Sequence, residues 1–350
     1  MGRAFSIGPF ARNCLFGVEL ICTSNFSSTH PEASFTWSKY MMKSRSHIFR
    51  PLLASIVFAL LLCVGCRKSA VDPAQYRQEI EDWRKQRLTR LTGEDGWLTL
   101  IGLFWLKEGE NGVGCDPANT ITLPSGKAPE FVGSIWLEQG KPRFRSKPGS
   151  GVKHNDTVVT SLALLSDEDA AGPTILRLGP VSFYVIKRGD QYAVRVKDNN
   201  SEARLNFRAL DYFPINPSWR VKARFEPYVP PKILEIPSQV GTVEKDSCPG
   251  ALVFEIEGKT YRLDPVIEKG SEGQFFIMLA DETNGKETYA VGRQLYTALP
   301  DSNNEVIIDF NKAYNWPCVF TDYATCPIPP PQNHLPIRVD AGEKMYRGHE

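Results

Sequence analysis

The chain has 350 residues, with 41 basic and 40 acidic side chains and a formal net charge of +1. This balance gives no excess of basic residues of the kind that nucleic-acid-binding domains carry, so nucleic acid is not expected as a partner. After an N-terminal signal-like segment, enough residues remain for one large domain or two small ones.

A secretory signal peptide of the lipoprotein type is predicted at residues 41–65. Met41-Met42 opens a short cationic segment, which an apolar run from Pro51 to Val64 and then Gly65-Cys66 follow. The apolar run of about 14 residues is shorter than the roughly 20 that span a bilayer, which favours cleavage over a permanent anchor. A small residue directly before a cysteine predicts cleavage before Cys66 and lipid attachment to its thiol.

The signal defines the expected organisation and location of the protein. We interpret the residues before it as an extension of the gene model, with translation starting at Met41 or Met42, or as a disordered segment. Export would leave the protein anchored to the cell membrane by lipidated Cys66, on the outer membrane or facing the periplasm in a bacterium with two membranes. The predicted segments are the extension at 1–40, the signal at 41–65, a linker at 66–72, a β-rich body at 73–344 and a tail at 345–350.

A helix is predicted at the start of the body, from Pro73 to Leu91. Asp72 can cap its first turn, and proline suits that turn because its missing N–H would have no helical partner. Apolar and long side chains at three- and four-residue steps form one face that can pack on the body. These side chains are Tyr76, Ile80, Trp83, Arg87 and Leu91.

Strands are predicted through most of the remaining chain. Residues 96–106 are dense in aromatic and branched side chains and are expected in the core. Farther along, alternating apolar residues predict two hairpins with turns at 188–190 and 257–259. Further strands are expected at 219–225, 274–279, 287–296 and 305–310. The pattern favours a mainly β fold, an antiparallel sandwich or barrel-like sheets with an N-terminal helix, and a soft boundary near 227–240.

Four cysteines follow Cys66. None belongs to a Cys-x-x-Cys pair, so their spacing gives no zinc or thioredoxin signature. An exported compartment permits disulfides, and Cys318 and Cys326 are close enough in sequence to bridge one loop. Independent buried thiols are the alternative for all four, which are Cys115, Cys248, Cys318 and Cys326.

Several segments in order resemble a known family. They are Gly-Trp-Leu-Thr-Leu-Ile-Gly-Leu-Phe-Trp-Leu at 96–106, Thr-Tyr-Ala-Val-Gly-Arg at 288–293, Asp-Phe-Asn-Lys-Ala-Tyr-Asn at 309–315, Tyr-Ala-Thr-Cys-Pro-Ile-Pro-Pro at 323–330 and Ala-Gly-Glu-Lys at 341–344. Together they resemble the uncharacterised bacterial and archaeal proteins grouped as domain of unknown function 1684 (DUF1684), from about Tyr76 to Lys344. Trp316 departs from the family pattern, which usually has a second proline before Pro317. The resemblance implies no activity.

One candidate site is a hard-cation site formed by Asp281, Asp309 and Asn311. Carboxylate and amide oxygens suit calcium or magnesium. The alternative is that these residues end strands and cap turns.

A second candidate is a thiol nucleophile, Cys318, with His334 or His154 as its base. The two groups must meet in space, which sequence does not show. A packed or disulfide-bonded Cys318 is the alternative.

A third candidate is a pocket for a small, anionic ligand. Arginine binds carboxylate or phosphate through two parallel hydrogen bonds of its guanidinium. The pocket would use Arg293, Asp309, Asn311, Tyr314 and Asn315. The alternative is that Arg293 pairs with Asp281 or Asp309 and holds the loops together.

The expected function is therefore an exported, lipid-anchored protein that binds a small ligand at the strand ends of its β-rich body. The sequence has no Gly-x-Ser-x-Gly elbow, phosphate-binding loop, dinucleotide fingerprint or His-Glu-x-x-His, which weakens several enzyme classes without excluding catalysis. The alternatives are a hydrolase that uses Cys318 or the group Asp281, Asp309 and Asn311, and a structural protein of the envelope. No cofactor is predicted.

Overall fold

The computed structural model describes residues 72–268, 270–271 and 273–348. The predicted extension, the signal peptide and the lipidation site at Cys66 lie outside these residues. Within the described ranges, no helix is both long enough and apolar enough to cross a membrane.

Two α-helices and many short strands make up the described chain. Helix α1 is Pro73–Thr92 and helix α2 is Glu202–Leu205. Single 3-10 turns lie at Trp97–Thr99, Pro217–Trp219, Phe310–Lys312, Pro317–Val319 and Pro331–Asn333. The strands are β1 (Leu100–Trp105), β2 (Gly109–Gly114), β3 (Ile121–Thr122), β4 (Gly133–Glu138), β5 (Lys141–Ser146), β6 (Lys153–His154), β7 (Thr157–Val158), β8 (Ser161–Ala163), β9 (Leu176–Leu178), β10 (Val181–Arg188), β11 (Gln191–Asp198), β12 (Arg220–Pro237), β13 (Val243–Ile256), β14 (Lys259–Leu263), β15 (Gln274–Asp281), β16 (Arg293–Ala298), β17 (Glu305–Asp309), β18 (Tyr314–Asn315) and β19 (His334–Leu335).

The N-terminal half, residues 100–200, contains two sheets around one core. One sheet has the order β1-β11-β10-β9-β6-β7 and the other β3-β2-β4-β5-β8. Alternate residues of both sheets meet between them, as the wholly buried Ile135, Phe144 and Phe183 do. The rings of Phe144 and Phe183 contact edge to face across this core. Burial of such side chains is the main stabilising term for a sandwich.

The C-terminal half, residues 205–344, also contains two sheets. Their orders are β14-β13-β12-β17 and β18-β16-β15-β19. Their shared core includes Leu252, Phe275, Leu295 and Phe310. Nearly all strand pairs in both halves are antiparallel, and β2–β3 and β15–β19 are parallel pairs.

The N-terminal cap and the apolar face of helix α1 are those that its sequence predicts. The Ala74 N–H donates to Asp72 Oδ1 at 2.9 Å, which caps the first turn as predicted. Tyr76, Ile80 and Leu91 are buried on the predicted face. The helix therefore packs on the body through that face.

The predicted fold class, mainly antiparallel β with one N-terminal helix, is confirmed. Strand β12 runs through residues 227–240, where a soft boundary was predicted, and pairs with β13 on both sides of an irregularity between Pro227 and Lys232. The two halves join instead between β11 and β12.

One strand begins later than its sequence suggests. The pattern predicted a strand from residue 287, but β16 begins at Arg293. Gly292 precedes it with φ +123°, and a Cβ there would lie 2.4 Å from the Leu279 carbonyl oxygen. The chain therefore turns at Gly292 before it enters the sheet.

Candidate functional site

Arg293, the predicted ligand fork, is wholly buried. Its Nη2 donates to Asp281 Oδ2 at 2.7 Å and to the Val339 carbonyl oxygen at 3.0 Å. Its Nη1 donates to the Ala341 carbonyl oxygen. The guanidinium, which was expected to contact a ligand, is enclosed and ties the C-terminal segment to the sheet. The alternative, that Arg293 pairs with Asp281, is the arrangement observed.

Asp309 and Asn311 hold helix α1 and do not face solvent. The Tyr76 hydroxyl donates to Asp309 Oδ1 at 2.8 Å, and Asn311 Nδ2 donates to the Tyr76 oxygen at 2.9 Å. Burial raises the pKa of Tyr76, and the Asp309 charge raises it further. Burial likewise raises the pKa of Asp309. These two residues, which were expected to contact a ligand, bind the helix in the fold.

The three candidate cation ligands lie in separate networks. Asp281 is paired with Arg293 and accepts from Thr283, whereas Asp309 and Asn311 contact Tyr76. Across residues 72–268, 270–271 and 273–348, no three His, Cys, Asp or Glu side chains are grouped to hold a metal ion. The alternative of turn and strand-end contacts describes these residues.

Cys318 forms a disulfide with Cys326. A bonded sulfur is not a thiolate, so the candidate nucleophile is not supported. His334 Nε2 lies 3.3 Å from the Pro329 carbonyl oxygen, and His154 belongs to β6 of the N-terminal half. Of the other cysteines, Cys115 and Cys248 are free, and burial raises the pKa of Cys248 to about 11.

A cleft of about 1490 Å³ lies between the two halves. Among the five predicted ligand residues, Tyr314 and Asn315 line this cleft. Arg293, Asp309 and Asn311 are not among its lining residues. Its volume exceeds the roughly 300–1,000 Å³ of a typical small-ligand pocket. The cleft is therefore the candidate site, and it replaces the predicted one.

Several parts of the fold line the cleft, among them the end of helix α1 and residues 167–170. The β10–β11 hairpin supplies Arg188 and Arg195, and β13 supplies Glu244 and Asp246. Strands β15, β16 and β18 supply an aromatic wall. The end of the disulfide loop, residues 324–326, also lines the cleft. The aromatic residues of the lining are Trp97, Phe276, Tyr296, Tyr314 and Trp316.

Arg195 is a buried cation in this cleft. It is 5% exposed, its Nη2 donates to Thr325 Oγ1 at 3.2 Å, and its guanidinium carbon lies 4.9 Å from the Trp97 ring centre. Burial lowers the pKa of Arg195. Arg195 makes no ion pair with any described residue, and its Nε has no hydrogen-bond partner there. A buried charge is normally paired, so this guanidinium can accept an anionic partner from the cleft.

Arg188 lies beside Arg195 but is neutralised. Its Nη1 donates to Asp167 Oδ2 at 2.8 Å, and its Nε lies 3.4 Å from Glu244 Oε1. Its Nε also donates to Thr325 Oγ1 at 3.1 Å. Thr325 Oγ1 thus accepts hydrogen bonds from both arginines and links the disulfide loop to the N-terminal half.

Asn315 and Trp316 contribute two further unpartnered polar atoms. Asn315 is wholly buried, and its Nδ2 donates to the Lys344 carbonyl oxygen at 2.7 Å. Neither Asn315 Oδ1 nor Trp316 Nε1 has a partner among the described residues. An unmade bond of this kind costs about 1–3 kcal/mol, which a ligand or water in the cleft would recover.

Carboxylates and aromatic rings meet in another part of the cleft. Tyr296 donates to Glu268 Oε2 at 2.6 Å and stacks on Phe276, with ring centres 4.8 Å apart. Burial raises the pKa of Asp246, and the Glu268 charge raises it further. Burial also raises the pKa of Tyr314 to about 12. In this part of the cleft, aromatic rings form the walls and the carboxylates of Asp246 and Glu268 supply negative charge.

Sequence reasoning missed Arg195, Asp246 and Glu268. Arg195 stands between Val194 and Val196 in a strand that is buried on both faces, and that pattern alone marks it as unusual. Asp246 and Glu268 carry no comparable signal. Trp316 was singled out as a departure from the family pattern, and it lines the site.

Two solved structures are similar to part of this chain, both with low TM-scores. A protein of Haloarcula marismortui, described as uncharacterised and solved by solution NMR, is 27% identical and covers 40% of this chain and 78% of its own, with a TM-score of 0.35. A chain from a study of phosphothreonine-dependent FHA domain interactions is 18% identical and covers 28% of this chain and 96% of its own, with a TM-score of 0.19. No curated protein matches the chain.

The family comparison covers the C-terminal half. The family described as "Protein of unknown function (DUF1684)" matches residues 205–344. The motif at 96–106 lies outside this range, so the match is shorter than the resemblance predicted from Tyr76. The segment that supplies β12 to β19, with Tyr314, Asn315 and Trp316, therefore lies within the part of the chain that is similar to the DUF1684 family.

Proposed function

We propose that the protein is an exported, lipid-anchored binding protein that holds a small organic anion in the cleft. The observation that carries this proposal is the buried guanidinium of Arg195, which has no carboxylate partner among the described residues. Leaving such a charge unpaired is costly, and arginine binds carboxylate and phosphate groups through paired donors. Arg195 Nε and Trp316 Nε1 are both donors without a partner among the described residues, and both residues line the cleft.

Export and anchoring are part of the same proposal. They rest on the sequence of the signal at 41–65, with cleavage before Cys66 and lipid on its thiol. The Cys318–Cys326 disulfide supports this, because disulfides persist in oxidising compartments. Fatty-acid labelling in cells should mark the wild type and not Cys66→Ala. Equal labelling of both would end the anchoring proposal.

Ligand binding is tested by a thermal-shift screen of carboxylate- and phosphate-bearing metabolites on the purified full-length protein. A compound that binds should raise the melting temperature of the wild type and of Arg224→Lys, whose exposed cation lies on β12. We expect at least a tenfold loss of affinity in Arg195→Lys, which keeps the charge but removes Nε. Equal affinity of Arg195→Lys and wild type for every such compound would refute the proposed site.

The indole donor provides a second, independent variant. Trp316→Phe keeps an aromatic ring in the wall and removes Nε1 together with part of the indole ring system, a loss of volume that the control variant shares. We expect it to weaken binding about three- to tenfold, which corresponds to the net value of one hydrogen bond. Trp136→Phe, on β4 outside the cleft, is its matched control.

A further inference from the structure

We infer that the anion is a carboxylate with a single negative charge, bound by Arg195 together with the hydroxyl group of Thr325. This inference rests on the proposed function and names the chemical class of its ligand. It follows from one group of side chains that printed contacts connect to each other, all of which line the cleft. They are Asp167, Arg188, Arg195, Glu244 and Thr325.

The hydrogen bonds of Thr325 leave its hydroxyl proton for a further partner. Thr325 Oγ1 accepts from Arg188 Nε at 3.1 Å and from Arg195 Nη2 at 3.2 Å. A guanidinium carries donors only, so both contacts use acceptor positions of the hydroxyl oxygen. A hydroxyl has two such positions and one proton, and no described residue accepts this proton. Thr325 can therefore only donate to a ligand in the cleft.

Arg195 places a positive charge beside this donor. Its guanidinium carbon lies over the Trp97 ring, 4.9 Å from the ring centre, so the ring covers one face of the guanidinium. A ligand group therefore meets the guanidinium at its edge, where the N–H donors point and where Nη2 contacts Thr325. A carboxylate has two oxygens in one plane and binds such an edge well. The hydroxyl of Thr325 is then a neighbouring donor for the same group.

Two carboxylates limit the charge that this site accepts. Arg188 Nη1 lies 2.8 Å from Asp167 Oδ2, and Arg188 Nε lies 3.4 Å from Glu244 Oε1. Burial lowers the pKa of Arg195, and the Asp167 charge acts on it in the opposite direction, which shows that this carboxylate is also near Arg195. Arg195 is the cation of this group that makes no ion pair with a described residue.

The charge balance of the group favours a monoanion. A second negative charge on the ligand would be repelled by Asp167 and Glu244, and the group has no further cation to offset it. A phosphate monoester carries most of that second charge at neutral pH, because its second pKa is about 6. A carboxylate carries one charge, so the site is expected to prefer a carboxylate.

Three aromatic anions separate charge from shape. Phenylacetate and methyl phenyl phosphate each carry one negative charge, whereas phenyl phosphate carries two at pH 8. Each is titrated by calorimetry into the full-length protein at pH 8. We expect phenylacetate to bind at least about tenfold more tightly than phenyl phosphate, because the dianion is repelled. Methyl phenyl phosphate should bind with intermediate affinity, since it has the single charge but not the planar carboxylate.

Variants of Thr325 test the hydroxyl donor. Thr325→Val preserves the shape of the side chain and should lower the affinity for phenylacetate at least about tenfold, as expected for a hydrogen bond to a charged group. Thr325→Ser restores the hydroxyl and should recover most of the affinity. Thr157→Val, at an exposed position of β7, is the matched control. Unchanged affinity in Thr325→Val would overturn the role of Thr325.

A variant of Asp167 tests the repulsion without altering Thr325. Asp167→Asn removes one negative charge and should strengthen the binding of phenyl phosphate more than that of phenylacetate, which reduces the preference at least about threefold. Asp156→Asn, at an exposed position between β6 and β7, should leave the preference unchanged. A preference that is as large in Asp167→Asn as in the wild type would overturn the charge argument.

The outcomes distinguish this inference from the proposed function. Phenyl phosphate that binds as tightly as phenylacetate would overturn the single-charge inference and leave the anion site intact. Equal affinity of Arg195→Lys and wild type for phenylacetate would overturn Arg195 as the ligand's partner, and with it the proposed function. Absence of phenylacetate binding at millimolar concentration would overturn the carboxylate inference, and the metabolite screen would then decide the anion site by itself.

Discussion

Replacing Arg293 with methionine should destabilise the protein strongly without acting on the cleft. The side chains of Arg293 and Asp281 are both 0% exposed and joined at 2.7 Å. The substitution leaves the Asp281 carboxylate buried without its cation, and breaking a buried pair in this way costs about 3–5 kcal/mol. Asp281 still accepts from Thr283 Oγ1 at 2.6 Å, which places the expected loss near the lower end, about 3 kcal/mol.

Urea unfolding measures this loss, and a double-mutant cycle assigns it to the pair. Asp281→Asn removes the second charge, so the double variant should cost less than the sum of the single variants by about 1.5 kcal/mol or more. Arg224→Met removes an exposed cation and should change stability by less than about 0.5 kcal/mol. If Arg293→Met lost under 1 kcal/mol but abolished ligand binding, our structural interpretation of Arg293 would be refuted.

Three further predictions concern other parts of the molecule. Tyr76→Phe removes the donor to Asp309 and should lower the unfolding free energy by about 1.5–3 kcal/mol in urea titrations, since the acceptor is charged; an unchanged midpoint would contradict the role of this contact. The folded-state pKa of Asp246 is raised, so its charge reduces stability above that pKa and has no effect below the unfolded value near 4. Asp246→Asn should therefore melt at a higher temperature than wild type at pH 8 and equally at pH 3.5, and a gain that persists at pH 3.5 would reverse this reasoning. Replacing Cys318 and Cys326 together with serine should cost about 2–3 kcal/mol, the closure entropy of a short loop, and full retention of stability would show that the bridge contributes nothing.

The sequence determined the local features well. The cap at Asp72 and the spacing of Tyr76, Ile80 and Leu91 predict helix α1, because its contacts repeat within a few residues. The hairpin turn at 188–190 is likewise a local signal, since its glycine permits the positive φ that the turn needs. The Cys318–Cys326 disulfide could be considered from the sequence for the same reason, because the two cysteines have a sequence separation of 8.

The candidate site depends on contacts between residues that are far apart in the sequence, and the sequence alone does not show which residues meet. Arg293 and Arg195 are both arginines in strands, and the sequence does not say which one has a carboxylate partner. The Arg293 contact with Ala341 spans 48 residues, and the Arg195 contact with Thr325 spans 130. Only the packing of the two halves decides that Arg293 is paired and that Arg195 remains available to the cleft.

The predicted boundary near 227–240 depends on a similar ambiguity of the sequence. Prolines between 227 and 240 predict a break, because proline removes a backbone donor from the strand. In the fold, the irregularity of β12 between Pro227 and Lys232 accommodates them, and the strand resumes its pairing with β13. A long strand with a local irregularity and two separate elements give the same sequence pattern.

The indole N–H of Trp316 gives the most direct test of anion binding in the cleft. Its NMR signal can be assigned by its loss in Trp316→Phe and then followed while a hit from the metabolite screen is titrated into the wild type. We predict a downfield shift that saturates at the affinity measured by calorimetry, since an acceptor then engages Nε1, while the Trp136 signal stays in place. Saturating binding that leaves the Trp316 signal unmoved would contradict the account.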